Sequence, residues 1–202
     1  MLKNSKIIIA AASLLLVVLY FFPMWIIDLD APQYPEGIGL HIWINKISGQ
    51  KPNDLNTING LNHYIGMKII TPEDIPELKL MPYIVAFLIF TGLLVALAGK
   101  RFLLNVWVII FFLILVAGLF DFYMWEYDYG HNLDPHAAIK VPGMTYQPPL
   151  IGTKQLLNMK TTSLPHIGAI VAGISFMLGV FILTVEARHS RKNKEPEHGE
   201  QA

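Results

Sequence analysis

The chain contains no cysteine. Without a thiolate it cannot form a disulfide, carry a lipoprotein anchor, attach haem through CxxCH, or hold an Fe–S cluster or a Cys-ligated zinc or copper. Any metal site has to use His, Met, carboxylate or backbone oxygen. Charge is also scarce: Asp, Glu, Lys and Arg supply 15% of the residues, against about 25% in a soluble domain. The 15 basic and 15 acidic residues cancel, so no nucleic-acid partner is expected. There is no phosphate-cradling glycine loop, no HExxH and no nucleophile elbow. Enzymatic activity is therefore not expected.

Long hydrophobic runs, by contrast, are abundant, and 53% of the residues are hydrophobic. Four segments meet the length of roughly 17–25 apolar residues needed to cross hydrocarbon: Ile7 to Ile27, Met81 to Gly99, Phe102 to about Met124, and Ile167 to Ala187. None has Lys or Arg in its body, as the cost of charge in lipid requires. No His lies in a span body and the spans lack a polar lining, so an intramembrane bis-His haem, a channel and a transporter are all disfavoured. The first segment begins after Lys3 and Lys6, but it exits through Phe21-Phe-Pro-Met-Trp without a small-x-small site. It reads as an uncleaved anchor.

Basic residues set the expected orientation. Lys3 and Lys6, Lys100-Arg101, and Arg188, Arg191, Lys192 and Lys194 flank the spans on one side, and all three arginines fall there. By the positive-inside rule that side is cytoplasmic. The expected fold class is an all-α membrane protein: four transmembrane helices as two hairpins, with an extracytoplasmic cap built from two loops. Its parts are 1–27 (cytoplasmic start and first span), 28–80 (outer loop), 81–124 (second and third spans), 125–166 (outer loop), 167–187 (fourth span) and 188–202 (cytoplasmic tail). The charged tail from His189 is expected to be disordered.

Within the first loop, Ile38, Leu40, Ile42 and Ile44 alternate with a strand-like period, although an interfacial helix remains open. Asp54 can cap a short helix with an apolar stripe of Leu55, Ile58, Leu61 and Ile65. Thr71 can cap another turn, with Pro72 in its first position. The second loop, rich in Pro and Gly, reads as irregular but ordered coil.

His and Met crowd these loops. His41, His63, His131, His136 and His166 lie in or beside them, together with Met67 and Met144. Imidazole and thioether together suit copper where thiolates are lacking. On a helix, His63 and Met67 would share a face four residues apart, or His63 could bond a loop while Met67 packs. His131 and His136 bracket Asp134, which could join them around a metal or simply cap a turn at Pro135. Met144 could be a ligand or a plug, and His166 reads as the start of the fourth span. The metal candidates are thus His63, Met67, His131, Asp134, His136 and Met144, with copper the ion they suit and no haem or Fe–S cluster expected. Asp121, Glu126 and Asp128 near an outer helix end are functional candidates as membrane-edge acids, against a reading as interfacial residues paired with Tyr or Lys.

Four sequence words are distinctive: Ala31-Pro-Gln-Tyr-Pro-Glu-Gly, Ile58-Asn-Gly-Leu-Asn-His-Tyr-Ile-Gly-Met67, Trp125-Glu-Tyr-Asp-Tyr-Gly-His-Asn-Leu-Asp-Pro135 and Pro142-Gly-Met-Thr-Tyr-Gln-Pro-Pro-Leu-Ile-Gly152. With them the chain resembles, over most of its length, a small membrane-protein family that accompanies nitrous-oxide reductase maturation genes in bacteria. The resemblance implies an accessory of a multicopper enzyme matured outside the cytoplasmic membrane, in which outer His and Met would pass or hold copper. It carries no catalytic residues over. The alternatives are a non-catalytic scaffold docking protein partners, and a subunit oxidising quinol near Asp121 and Glu126. Expected partners are the lipid bilayer and proteins of a membrane or periplasmic complex.

Overall fold

The computed structural model describes residues 1–192, and it overturns the all-α expectation. The protein is mixed α/β: 58% is helical, and a five-stranded antiparallel sheet joins segments from both loops. In chain order the elements are α1 (Lys3–Leu15), β1 (Trp25–Ala31), β2 (Tyr34–Ile42), β3 (Ile47–Gly49), α2 (Asp54–Ile65), α3 (Pro76–Ala98), α4 (Arg101–His131), β4 (Gly152–Leu156), β5 (Met159–Pro165) and α5 (Ile167–Lys192). Four helices are long and apolar enough to cross a membrane: α1 with its 3-10 continuation to Tyr20, α3, α4, and α5 as far as Ser190. The part of the expected tail beyond Lys192, Lys194 included, lies outside the described residues.

The chain divides into two compact units. The helical unit comprises Met1–Val17, Ile84–Ile114 and the chain from Val171. Its helices touch through small residues, as apolar helices must when lipid offers no hydrophobic drive. A Cβ on Gly92 would run into Ser13 Oγ and come within 3.0 Å of Trp107. Ser175 Oγ donates to the Ala12 carbonyl at 2.8 Å, and Trp107 Nε1 to that of Leu88 at 3.0 Å. At one end the buried Glu186 carboxylate accepts from Arg101 Nε at 2.9 Å and from the Leu2 N–H at 2.7 Å.

The sheet unit comprises Val18–Tyr83 and Leu115–Ile170, with strand order β3-β2-β1-β5-β4. The apolar run beginning at Ile7 is divided in the structure. Helix ends by Tyr20, Pro23 bars its continuation, and β1 starts at Trp25. In β1 the period of two sends Trp25 and Ile27 into a core shared with Ile38, Leu40, Ile47, Ile58, Ile70 and Leu78. Phe122, Trp125 and Tyr129 from the end of α4 pack against that core. β1 is central, pairing Trp25 with Ile42 of β2 and with Pro165 of β5. The coil expected over 152–165 is instead the β4–β5 hairpin, closed by Leu157 and Asn158 with Leu157 at φ 54°.

α2 packs on β2 and β3 with Ile58 and Ile65 buried, as the apolar stripe predicts. Asp54 does not cap it. The helix begins at Asp54 itself, whose carboxylate accepts from the Gly39 and Lys51 N–H groups, both at 3.1 Å. Thr71 precedes the 3-10 turn Pro72–Asp74 without a side-chain cap bond.

Candidate functional site

The two loops form one folded unit, so the residues that the sequence singled out share a frame. The 132–140 segment binds the end of α2 through backbone bonds. Asp134 N–H donates to the Gly66 carbonyl at 2.8 Å and Ile139 N–H to that of Tyr64 at 2.9 Å. Gly66, at φ 82°, ends α2 one residue before Met67, so the helical His63–Met67 pairing does not form. His63 is exposed, its ring edge-on to Tyr64, while Met67 lines an interior cavity. His131 is the last residue of α4. Its ring stacks on Tyr127 at 3.9 Å, and Nδ1 lies 3.0 Å from the Tyr127 carbonyl.

Asp134 and His136 are brought together. Asp134 Oδ1 accepts from the His136 N–H at 2.8 Å and lies 3.3 Å from its Nδ1, with the His136 side chain 90% exposed. That is the turn-capping geometry, and the His136 N–H holds the Asp134 carboxyl below its ordinary range. Met144 is half-buried, its N–H bonded to the Val141 carbonyl at 3.0 Å. Among the described residues no three of His, Asp and Glu gather as a metal site. Asp128 pairs with Lys68 and Asn132, which lower its carboxyl pKa. Asp121 is exposed.

Glu126 has a different environment. α4 is 31 residues long, about 46 Å at 1.5 Å per residue, against roughly 30 Å of hydrocarbon. Hydrocarbon of that thickness entered at Phe102 would be crossed by about Met124, which leaves the last two turns of α4, Glu126 among them, beyond it; the helix from Leu115 on belongs to the sheet unit. Glu126 is 0% exposed, and neither carboxyl oxygen has a partner in the protein. Burial alone pushes its pKa up to about 8.

Glu126 borders a partly open cavity of roughly 70 Å³ beneath the sheet. Ile27, Leu29 and Leu40 of the sheet, Ile58, Leu61 and Ile65 of α2, and Met67 and Met159 form much of its apolar wall. Two more lining side chains turn buried, unpartnered hydroxyls on this interior: Tyr146, 2% exposed, and Thr161, 1% exposed. The Trp125 indole N–H, from another lining residue, is likewise unpartnered, and four orphaned polar groups around one cavity is not ordinary core packing, where buried polar atoms are nearly always satisfied.

The sequence reading had Glu126 as a membrane-edge acid and had neither Tyr146 nor Thr161. Only the alternation of Met159, Thr161 and Ser163, all buried along β5, could have signalled Thr161. On the opposite side of the sheet, His41 and His166 face each other at 5.5 Å between ring centroids. Burial, then the facing His166, lowers the His41 pKa, and Asp28 partly opposes this. No protein-family model matches this sequence, and no curated protein matches it.

Proposed function

We propose that this chain is a non-catalytic accessory protein of a bacterial cytoplasmic membrane, serving maturation or assembly of an extracytoplasmic copper enzyme of the nitrous-oxide-reductase type. The basic clusters at Lys3 and Lys6, Lys100-Arg101 and Arg188 support a cytoplasmic side for both ends of the chain and an outer side for the two loops. The copper-enzyme context comes from the resemblance of the loop words. The part played there is binding.

The cavity carries this reading. Its unpartnered polar groups are one acid, a phenol, a threonine hydroxyl and the Trp125 indole N–H, set with Asn62 and Tyr129 in otherwise apolar walls. Among the described residues no His, Lys, Ser or second carboxylate lines it, so no acid–base or nucleophile pair is assembled there. That complement suits a small hydrogen-bonding group carried on an apolar stem. At roughly 70 Å³ the space is well below the ~150 Å³ that accommodates benzene, which disfavours a quinol ring as occupant.

The test is genetic and biochemical. In a host that makes such an enzyme, deleting this chain should leave the enzyme deficient in copper. Complementation with Lys68→Ala should restore it, and complementation with Glu126→Leu should not. An enzyme with full copper content and activity in the deletion strain refutes the accessory role. Full rescue by Glu126→Leu removes the cavity from it.

A further inference from the structure

Three elements meet around Glu126. Glu126 and Gly130 stand four residues apart on α4 and share a face. The 146–148 segment crosses that face: the Tyr146 N–H donates to the Gly130 carbonyl at 2.9 Å, and a Cβ on Gly130 would come within 2.4 Å of the Gln147 backbone. Glycine at 130 is what lets Tyr146 lie against the acid's side of the helix. From the sheet, strand register sends Thr161 to the same interior, opposite Leu29 of β1, which also lines the cavity. Tyr129, whose hydroxyl donates to the Ile69 carbonyl at 3.4 Å, and Trp125, 4.4 Å from it between ring centroids, add two more aromatic side chains to the wall.

The charge of this space is one-sided. Glu126 is its only acid, and among the described lining residues no Lys, Arg or His stands against it. The other titratable groups in the wall are the Tyr129 and Tyr146 phenols; Lys68 and Asp128, which act on Tyr129, are engaged with each other. A bound cation would supply the partner that a buried carboxylate requires. The Tyr146 and Thr161 hydroxyl oxygens can accept from an ammonium, and aromatic rings attract one within about 6 Å of their centroids. The Trp125 N–H is a donor only and takes no part in holding a cation. Size limits the rest of the ligand. Roughly 70 Å³ is just under half of the ~150 Å³ that accommodates benzene, which scales to about three non-hydrogen atoms. A nitrogen with two carbons fills that space, with the carbons against the apolar wall.

Building on the cavity as the binding site of the proposed function, we propose that the ligand it takes is a primary alkylammonium group, held by the Glu126 carboxylate, the Tyr146 and Thr161 hydroxyls and the surrounding rings. Uptake exchanges one positive charge for another: the ammonium enters with its charge, and the Glu126 carboxyl releases its proton to solvent. Burial keeps that proton in place up to about pH 8, so binding at pH 7 is about tenfold weaker than the ionised acid would give. A free amine and the end of a lysine side chain share this chemistry.

The purified, detergent-solubilised chain is titrated calorimetrically with ethylammonium chloride at pH 6, 7 and 8, with ethanol and acetamide as neutral counterparts. Wild type should bind one ethylammonium, its affinity rising about tenfold from pH 6 to 7, and should release close to one proton at pH 7, read from buffers of different ionisation enthalpy. Glu126→Gln should weaken binding by about 100-fold, the scale of losing one partner of a buried charge pair, and Thr161→Val by about tenfold. His136→Ala should leave it unchanged. Nα-acetyllysine amide binding more tightly than ethylammonium assigns a lysine side chain as the source, and weaker binding assigns a free amine. The ammonium site is overturned if ethylammonium binds wild type no better than Glu126→Gln, if ethanol or acetamide binds as tightly, or if affinity does not change between pH 6 and 8. Any of these results, with Glu126→Leu still unable to restore the copper enzyme, removes the ammonium and keeps the cavity's accessory role.

Discussion

Replacing Glu126 with Gln should make the protein more stable at neutral pH. The folded protein keeps a proton on Glu126 up to about pH 8, whereas an unperturbed glutamate gives it up near 4.5. Between those values the folded state binds a proton that the unfolded chain releases. The group's contribution is therefore most favourable below pH 4.5, and stability falls as pH rises through about 8. At pH 7 the difference spans 2.5 pH units, and at about 1.4 kcal/mol per unit the acid costs about 3 kcal/mol. Gln has the shape of the protonated acid and no proton to lose. Glu126→Gln should remove that cost, raising the melting temperature at pH 7 by several degrees and flattening its decline between pH 5 and 8. Thermal unfolding in detergent, followed by intrinsic fluorescence at pH 5, 6, 7 and 8, measures both. A wild-type melting temperature that does not fall over that range, or a Gln variant less stable than wild type at pH 7, would refute the neutral buried acid.

Arg101→Ala should destabilise by about 1 kcal/mol, because it removes the half-exposed partner of the buried Glu186 carboxylate, which keeps the Leu2 N–H; thermal melts of the variant against wild type would show it, and an unchanged melting temperature contradicts the pairing. Leu157→Gly should stabilise by about 1 kcal/mol by relieving a left-handed residue at the tip of the β4–β5 hairpin, read in the same assay. Gly66→Ala should cost about 2 kcal/mol or more, since a Cβ there would sit 3.0 Å from the Asp134 backbone at φ 82°. Hydrogen exchange should then rise at the Asp134 and Ile139 amides, which bond to the end of α2; protection equal to wild type would refute that coupling.

The helices were legible because each declares itself locally. A run such as Phe102 to Met124 is apolar at every position, and no soluble environment or strand explains that length. The α2 stripe of Leu55, Ile58, Leu61 and Ile65 was readable for the same reason, since its period belongs to one helix. The strands were not. Trp25-Ile-Ile at the start of β1 looks like the tail of the preceding apolar segment. Lys160-Thr-Thr-Ser in β5 looks like polar coil. What makes them strands is the pairing of Trp25 with Pro165, a partner 140 positions away that no window along the chain contains. The His63–Met67 spacing misled because it assumes a helix, and Gly66 ends that helix between the two residues.

The sequence by itself determined four membrane-capable helices, the scarcity of charge, the lack of thiolate chemistry and the clustering of His and Met in the loops. Each follows from composition or from a period of a few residues. Only the tertiary structure decided which of those side chains share a surface. Sheet pairing buried Glu126, Tyr146 and Thr161 around one cavity and set His41 and His166 together on the opposite face. A strand's two faces are indistinguishable until its register is set, and register is a property of two strands at once.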